Sequence, residues 1–352
     1  MTHWTDIPPP VLDLLRKGTV IPAHPLALDE GNKLDHLRQR ALTRYYLDAG
    51  AGGLAVGVHT TQFEIREHGL YEAVLDACAK AADEWTDKPL VRVAGIVGRT
   101  DQAKREAQIA RGLGYHTGLI SLAAFKGASI DDIIAHCQAV AEEIPLFGFY
   151  LQPAVGGMKL PYEFWRRFAE IENVIGIKMA PFDRYATLDV IRGVAAARAE
   201  DRVMLYTGND DHIVGDLLTP FTLARDGAPL TLHIRGGLLG HWSVWTKAAV
   251  DLYARCRDAT QTGMIPADLL ALDSEVTDCN AALFDVANGF RGAIAGCHEV
   301  LRKQGLLTHT RCLSPNEVLS SGQADEIARV ARDHPHLTDD AFVAENLERW
   351  LT

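Results

Sequence analysis

Residues 173–182 read NVIGIKMAPF, a strand-like apolar run that holds a single cation, Lys178. Lysine is rarely buried unless it is paired or used, because taking its charge out of water costs several kcal/mol. The segment therefore raises two questions, which strand it forms and what the amine does there.

Outward from this run, similar short stretches recur. They are TVIPAHP from Thr19, GLAVGVH from Gly53, LVRVAGI from Leu90, TGLISLA from Thr117, LFGFYLQ from Leu146, VIGIKMA from Val174, VMLYTGN from Val203 and LTLHIRG from Leu230. Their spacing of roughly 25 to 40 residues is the length of a strand, a loop and a crossover helix. Eight such units predict an α/β fold, a (β/α)8 TIM barrel with a C-terminal helical extension. An open doubly wound sheet would need fewer units or a break in the series.

The intervening segments agree. KLDHLRQRALTRYYLDAG repeats apolar residues at helical spacing and ends at Gly50, suited to a helix C-terminus. Ser129 and Asp132 form a Ser-x-x-acid helix start. After about Gly240 the texture is helical throughout. The expected organisation is an N-terminal extension over 1–18, the barrel over 19–255 and a helical region over 256–352.

The chain has 352 residues, ample for a large core, and a formal net charge of −11. That balance argues against a nucleic-acid or anionic-membrane partner. Six cysteines without a C-x-x-C pair read as reduced, structural thiols of a cytoplasmic chain. Neither a signal peptide nor an apolar run of membrane-spanning length is evident.

In a barrel of this type, functional side chains sit at the C-terminal strand ends. Those positions hold His24, His59, Thr60, Thr61, Tyr150 and Lys178, then Gly208 to Asp211. In an apolar mouth the Lys178 ammonium is disfavoured, and a neutral amine attacks ketone or aldehyde carbonyls to form a Schiff base. Against this stands an outward-pointing Lys178, or one paired with Asp210 or Glu170. Tyr150 could pass protons one strand away, or could simply be a packed ring. Thr60 and Thr61 offer donors to a carboxylate, or satisfy their own turn. Histidines near strand ends (His24, His59, His116, His212, His233) with Asp210 and Asp211 would suit a metal, but no H-x-H or H-E-x-x-H spacing occurs.

Together, AVGVHTT, FYLQP, NVIGIKMA, TGNDD and RCLSPNEVLS resemble the dihydrodipicolinate synthase and N-acetylneuraminate lyase family of class I, Schiff-base aldolases. The resemblance runs from about Thr19 to Arg332, and its specific part is IGIK with a tyrosine 28 residues upstream. It implies Lys178 as the imine-forming nucleophile, Tyr150 as proton shuttle, and Thr60 and Thr61 as the cradle of a 2-keto acid's carboxylate. It further implies a lyase with no cofactor that takes a keto acid such as pyruvate and an aldehyde, assembled as a homo-oligomer, dimer or tetramer. His59 and Gly208 join the expected substrate contacts.

The departures bear on specificity. The family's G-T/S-T-G-E turn is here His59-Thr60-Thr61-Gln62-Phe63, a paired tyrosine after strand 4 is replaced by Ala124-Phe125, and an arginine that binds a second carboxylate is replaced by Val155. The losses of the tyrosine and the arginine argue against dihydrodipicolinate synthesis itself. Two further readings stand beside the aldolase: a metal-dependent barrel lyase or hydrolase, and a catalytically silent keto-acid-binding barrel.

Overall fold

A computed structural model describes residues 2–352. Strands β1 (Val20–Pro22), β2 (Gly53–Val56), β3 (Val91–Ile96), β4 (Thr117–Ile120), β5 (Leu146–Leu151), β6 (Val174–Ala180) and β7 (Met204–Thr207) match the first seven runs. All are parallel to their neighbours in the order β1-β9-β7-β6-β5-β4-β3-β2, where β9 is Ala228–Leu239. An isolated parallel bridge, Ala23 to Ala55, joins the two ends of that order and closes the barrel.

The eighth barrel strand is longer than the sequence suggested and has a companion. β8 (Pro220–Arg225) pairs antiparallel with the first half of β9, which then continues into the barrel between β7 and β1. The hairpin turns at Asp226 and Gly227, with φ of 53° and 79°. An Asp-Gly pair suits this geometry because both residues tolerate positive φ. PFTLAR is exposed at alternate positions and lies outside the barrel period, so it carries no core-strand pattern.

Helices fill the crossovers as expected. α2 (His36–Ala49) ends at Gly50 with φ 98°, and Ser129 caps α5 (Ile130–Ala141) by accepting from the Asp132 N–H at 3.1 Å. The N-terminal residues form α1 (Pro9–Lys17), whose Val11, Leu12 and Leu15 share one apolar cluster with the barrel interior residues Val93, Phe147 and Tyr206. The Tyr206 hydroxyl donates to the Leu15 carbonyl at 2.8 Å, so α1 plugs the barrel floor.

Beyond the barrel follow α9 (Thr246–Thr262), α10 (Ala267–Leu283), α11 (Ala293–Lys303), α12 (Gln323–Asp333) and α13 (Asp340–Trp350). The expected boundary at 255/256 falls inside α9. α13 returns to α2, where Arg44 donates to the Trp350 carbonyl at 3.0 Å and the Tyr45 hydroxyl donates to Asp339 at 2.7 Å. Side chains of the helical region and of the barrel's outer face form one continuous apolar cluster. No helix among the described residues is long and apolar enough to cross a membrane.

Candidate active site

Lys178 points into the barrel. Its partner across the β5–β6 ladder is Phe149, and its Nζ lies 4.5 Å from that ring's centroid. Paired residues of parallel strands face the same way, so the amine sits on an aromatic face that tolerates its cation while excluding water. Burial pushes its pKa down to about 8, with the charge of Asp210 pulling the other way. Asp210 stands in the same cavity, and burial raises its carboxyl to about 7 despite Lys178 and the His241 N–H, which donates to its Oδ1 at 2.9 Å. Burial thus shifts both groups toward their neutral forms, which sets an amine lone pair beside a carboxyl able to carry a proton.

The turn after β7 that carries Asp210 is held rigidly. Buried Asp216 accepts from the Thr207 hydroxyl at 2.6 Å and from Asn209 Nδ2 at 2.9 Å, and pairs with Arg184. Asn209 Oδ1 accepts from the Phe182 N–H at 3.1 Å, tying this turn to the one after β6. Gly208 serves by being small. A Cβ there would lie 2.5 Å from Lys178 Cε and 2.9 Å from the Ala180 Cβ, so only glycine leaves the lysine its path.

Tyr150, expected beside Lys178, is not in this cavity. The reason is a shift of register: Leu146 pairs with Val174, an offset of 28, but from Phe147 with Gly176 onward the offset is 29. Had 28 persisted, Tyr150 would oppose Lys178. One extra residue reverses which face each side chain takes. Tyr150 instead packs outward on Trp165, ring centroids 5.0 Å apart, and its hydroxyl accepts from the Leu160 N–H at 3.2 Å. Gly176, whose missing side chain makes room for the Phe147 ring, was the available signal, since a glycine inside a strand often marks a bulge.

The two threonines part company. Thr60 lines the cavity, and its hydroxyl makes no hydrogen bond with other described residues. Thr61 is fully enclosed; its hydroxyl donates to the His24 carbonyl at 2.6 Å and accepts from the Gly57 N–H at 3.0 Å. It pins the turn rather than meeting a ligand. Gln62 takes over a glycine-like backbone with φ 69°, and its Oε1 accepts from the Leu313 N–H at 2.6 Å. The departures from the family turn therefore leave a positive-φ backbone in place and tie it to the RCLSPNEVLS segment. Glu317 of that segment caps α11, accepting from the Ile294 and Ala295 N–H groups at 2.8 and 3.2 Å.

His59 lines the cavity, held neutral with a pKa near 4 by burial and then by the charge of Lys178. Of the other candidate histidines, His233 lines a different pocket and the remaining three are bonded elsewhere. Enclosed His24 bonds Pro25 and Thr43, each at 2.9 Å; His116 accepts from the Arg92 N–H at 3.0 Å; His212 pairs with Asp273 at 2.6 Å. Among the described residues, no three His, Cys, Asp or Glu side chains gather as a metal site.

Sequence reasoning missed the roof. α11 brings Ala293, Ile294 and Cys297 over the barrel mouth, joined by Phe284 and Phe290, while Phe182 comes from the turn after β6. The cavity so enclosed has a free volume of about 590 Å³, its open mouth included.

A sequence model of the "Dihydrodipicolinate synthetase family" matches residues 17–220, more than half of the chain. The chain belongs to this family. As a member it is a lyase of the class I aldolase type. A 4-hydroxy-tetrahydrodipicolinate synthase of Bifidobacterium longum is 24% identical over 269 residues, covering 68% of this chain and 86% of the relative. An N-acetylneuraminate lyase of Citrobacter koseri is 27% identical over 222 residues, covering 62% and 70%. Among solved structures, the chloride-inhibited dihydrodipicolinate synthase of Acinetobacter baumannii complexed with pyruvate has a TM-score of 0.74 at 18% identity, covering 90% of this chain and 99% of the other. That of Aquifex aeolicus has a TM-score of 0.74 at 15% identity, covering 92% and 99%. At these identities the structural likeness speaks for the fold, which it places in the same barrel with a helical extension.

Proposed function

We propose that Lys178 forms a Schiff base with a 2-keto acid, and that the enzyme uses this imine for aldol cleavage or addition, or for dehydration. The observation that supports it is one lysine buried in the barrel mouth on an aromatic face, its pKa lowered to about 8, with a buried carboxyl, Asp210, in the same cavity.

The Nζ lone pair attacks C2 of the keto acid, and the carbinolamine loses water as its C–O bond breaks and the C=N bond forms. Asp210, with one oxygen held by the His241 N–H and the other free, gives a proton to the departing hydroxyl, which leaves as water, and the resulting carboxylate then takes the C3 proton as the enamine forms. This assigns Asp210 the relay that the family resemblance gave to Tyr150. Thr60 holds the carboxylate with its unbonded hydroxyl, which fixes the face of C3 that reacts. Neutral His59 supplies one further donor.

The test is borohydride reduction in the presence of pyruvate, followed by intact-mass measurement and peptide mapping. The expected result is one reduced adduct on Lys178, absent from Lys178→Ala. Lack of any adduct with several 2-keto acids would remove the proposal.

A further inference from the structure

Past Lys178 the cavity becomes a collar of apolar side chains: Leu151, Val155, Phe182, Phe284, Phe290 and Ile294. Val155, Phe290 and Ile294, with His59, also border an outer groove that holds Glu64, Arg291 and Glu317. The collar therefore lies between the amine and the polar groove, where the tail of a bound keto acid must run. We infer that the preferred 2-keto acid bears an apolar tail of aromatic size, not the hydroxylated chain of a sugar acid; this rests on the imine reading above.

Three observations converge on it. First, polar groups are scarce once the reacting end is served. Thr60, Lys178 and Asp210 are taken by the carboxylate and the carbonyl, which leaves the side chains of His59 and Gln152, and the weakly bonding Cys297 thiol, for everything else along the tail. A chain of three or four hydroxyls would bury several without partners, and each such loss weakens binding roughly tenfold.

Second, Phe182 and Phe290 come from distant parts of the chain and meet edge to face, with centroids 6.0 Å apart and planes at 71°. A third ring entering this cluster would gain edge or face contacts of the same kind. Third, both phenylalanines hold left-handed backbones, with φ of 52° and 68°. Bulky residues seldom adopt that region, and such strain gathers at ligand clamps. Val155 completes the picture, because it removes the cation that the family resemblance would place there to receive a second carboxylate.

The experiment uses the same reduction and reads the concentration of keto acid that gives half-maximal trapping. Three acids are compared: pyruvate, 4-phenyl-2-oxobutanoate, and the polyhydroxylated 2-keto-3-deoxygluconate. Half-maximal trapping is expected at a concentration at least tenfold lower for the phenyl acid than for the hydroxylated one. In Phe290→Ser that ratio should fall at least threefold. If pyruvate is trapped on Lys178 but the hydroxylated acid is taken equally well or better, the collar inference fails and the imine reading survives. If no acid is trapped, both fail. A ratio unmoved by Phe290→Ser shows that the preference arises elsewhere, which overturns the role given to the collar.

Discussion

Replacing Gly208 by alanine isolates the space that Lys178 needs. The new Cβ would stand 2.5 Å from Lys178 Cε, 3.0 Å from its Cγ and 2.9 Å from the Ala180 Cβ. Carbon atoms in contact normally keep about 3.5–4.0 Å, so the overlap is about 1 Å or more. Gly208 does not have a positive φ, so alanine brings no backbone penalty and the effect is steric. The lysine chain is the softest neighbour and gives way first. A displacement of about 1 Å at a reacting atom costs on the order of 100-fold in rate, while overpacking costs roughly 1–3 kcal/mol of stability. Borohydride trapping with saturating pyruvate should therefore slow about 100-fold, and urea unfolding should show a loss at the lower end of that range. Trapping within threefold of the wild-type rate would refute the geometry given for Lys178.

Trapping should also rise with pH and level off above about 8, because only the neutral amine attacks. The charge of Asp210 holds the Lys178 pKa up, so in Asp210→Asn the inflection should move to lower pH while the plateau rate drops roughly 100-fold through loss of the relay. An inflection that stays or moves up contradicts the coupling. Tyr150→Phe should keep trapping within a few-fold of wild type and lose about 1 kcal/mol, since its hydroxyl only receives the Leu160 N–H. A 100-fold loss would mean that the phenol reaches the amine. The two threonines should separate cleanly. Thr60→Val is expected to raise the half-saturating pyruvate concentration roughly tenfold or more at unchanged stability, whereas Thr61→Val should cost about 2–4 kcal/mol in urea unfolding by stranding the Gly57 N–H and the His24 carbonyl.

The barrel and its central lysine were legible without coordinates. Eight strand-like runs at a βα period leave few other closed arrangements, and a lone ammonium within such a run has few uses besides chemistry. The C-terminal glycine of α2 and the Ser129 cap were also readable, because both depend on residues adjacent in sequence. The Asp226-Gly227 hairpin is equally local, an Asp-Gly pair between two strand-like runs, but it stands outside the barrel period.

Which side chains meet at Lys178 depended instead on register and on distant packing. The 28-residue interval pointed to Tyr150, but the ladder sets Phe149, 29 residues upstream, opposite Lys178, because one residue's slip between β5 and β6 turns every later side chain to the opposite face. Thr60 and Thr61 are adjacent in sequence, yet one opens on the cavity and the other is spent on His24 and Gly57. The collar joins Phe182 to Phe290 across more than one hundred residues of chain, a contact for which no spacing rule exists. Sequence by itself determined the barrel and singled out its buried lysine, since hydrophobic period and the cost of burying a charge act locally along the chain. Tertiary structure alone decided the amine's companions and the apolar character of the space beyond it, because those follow from strand register and from where α11 comes to rest.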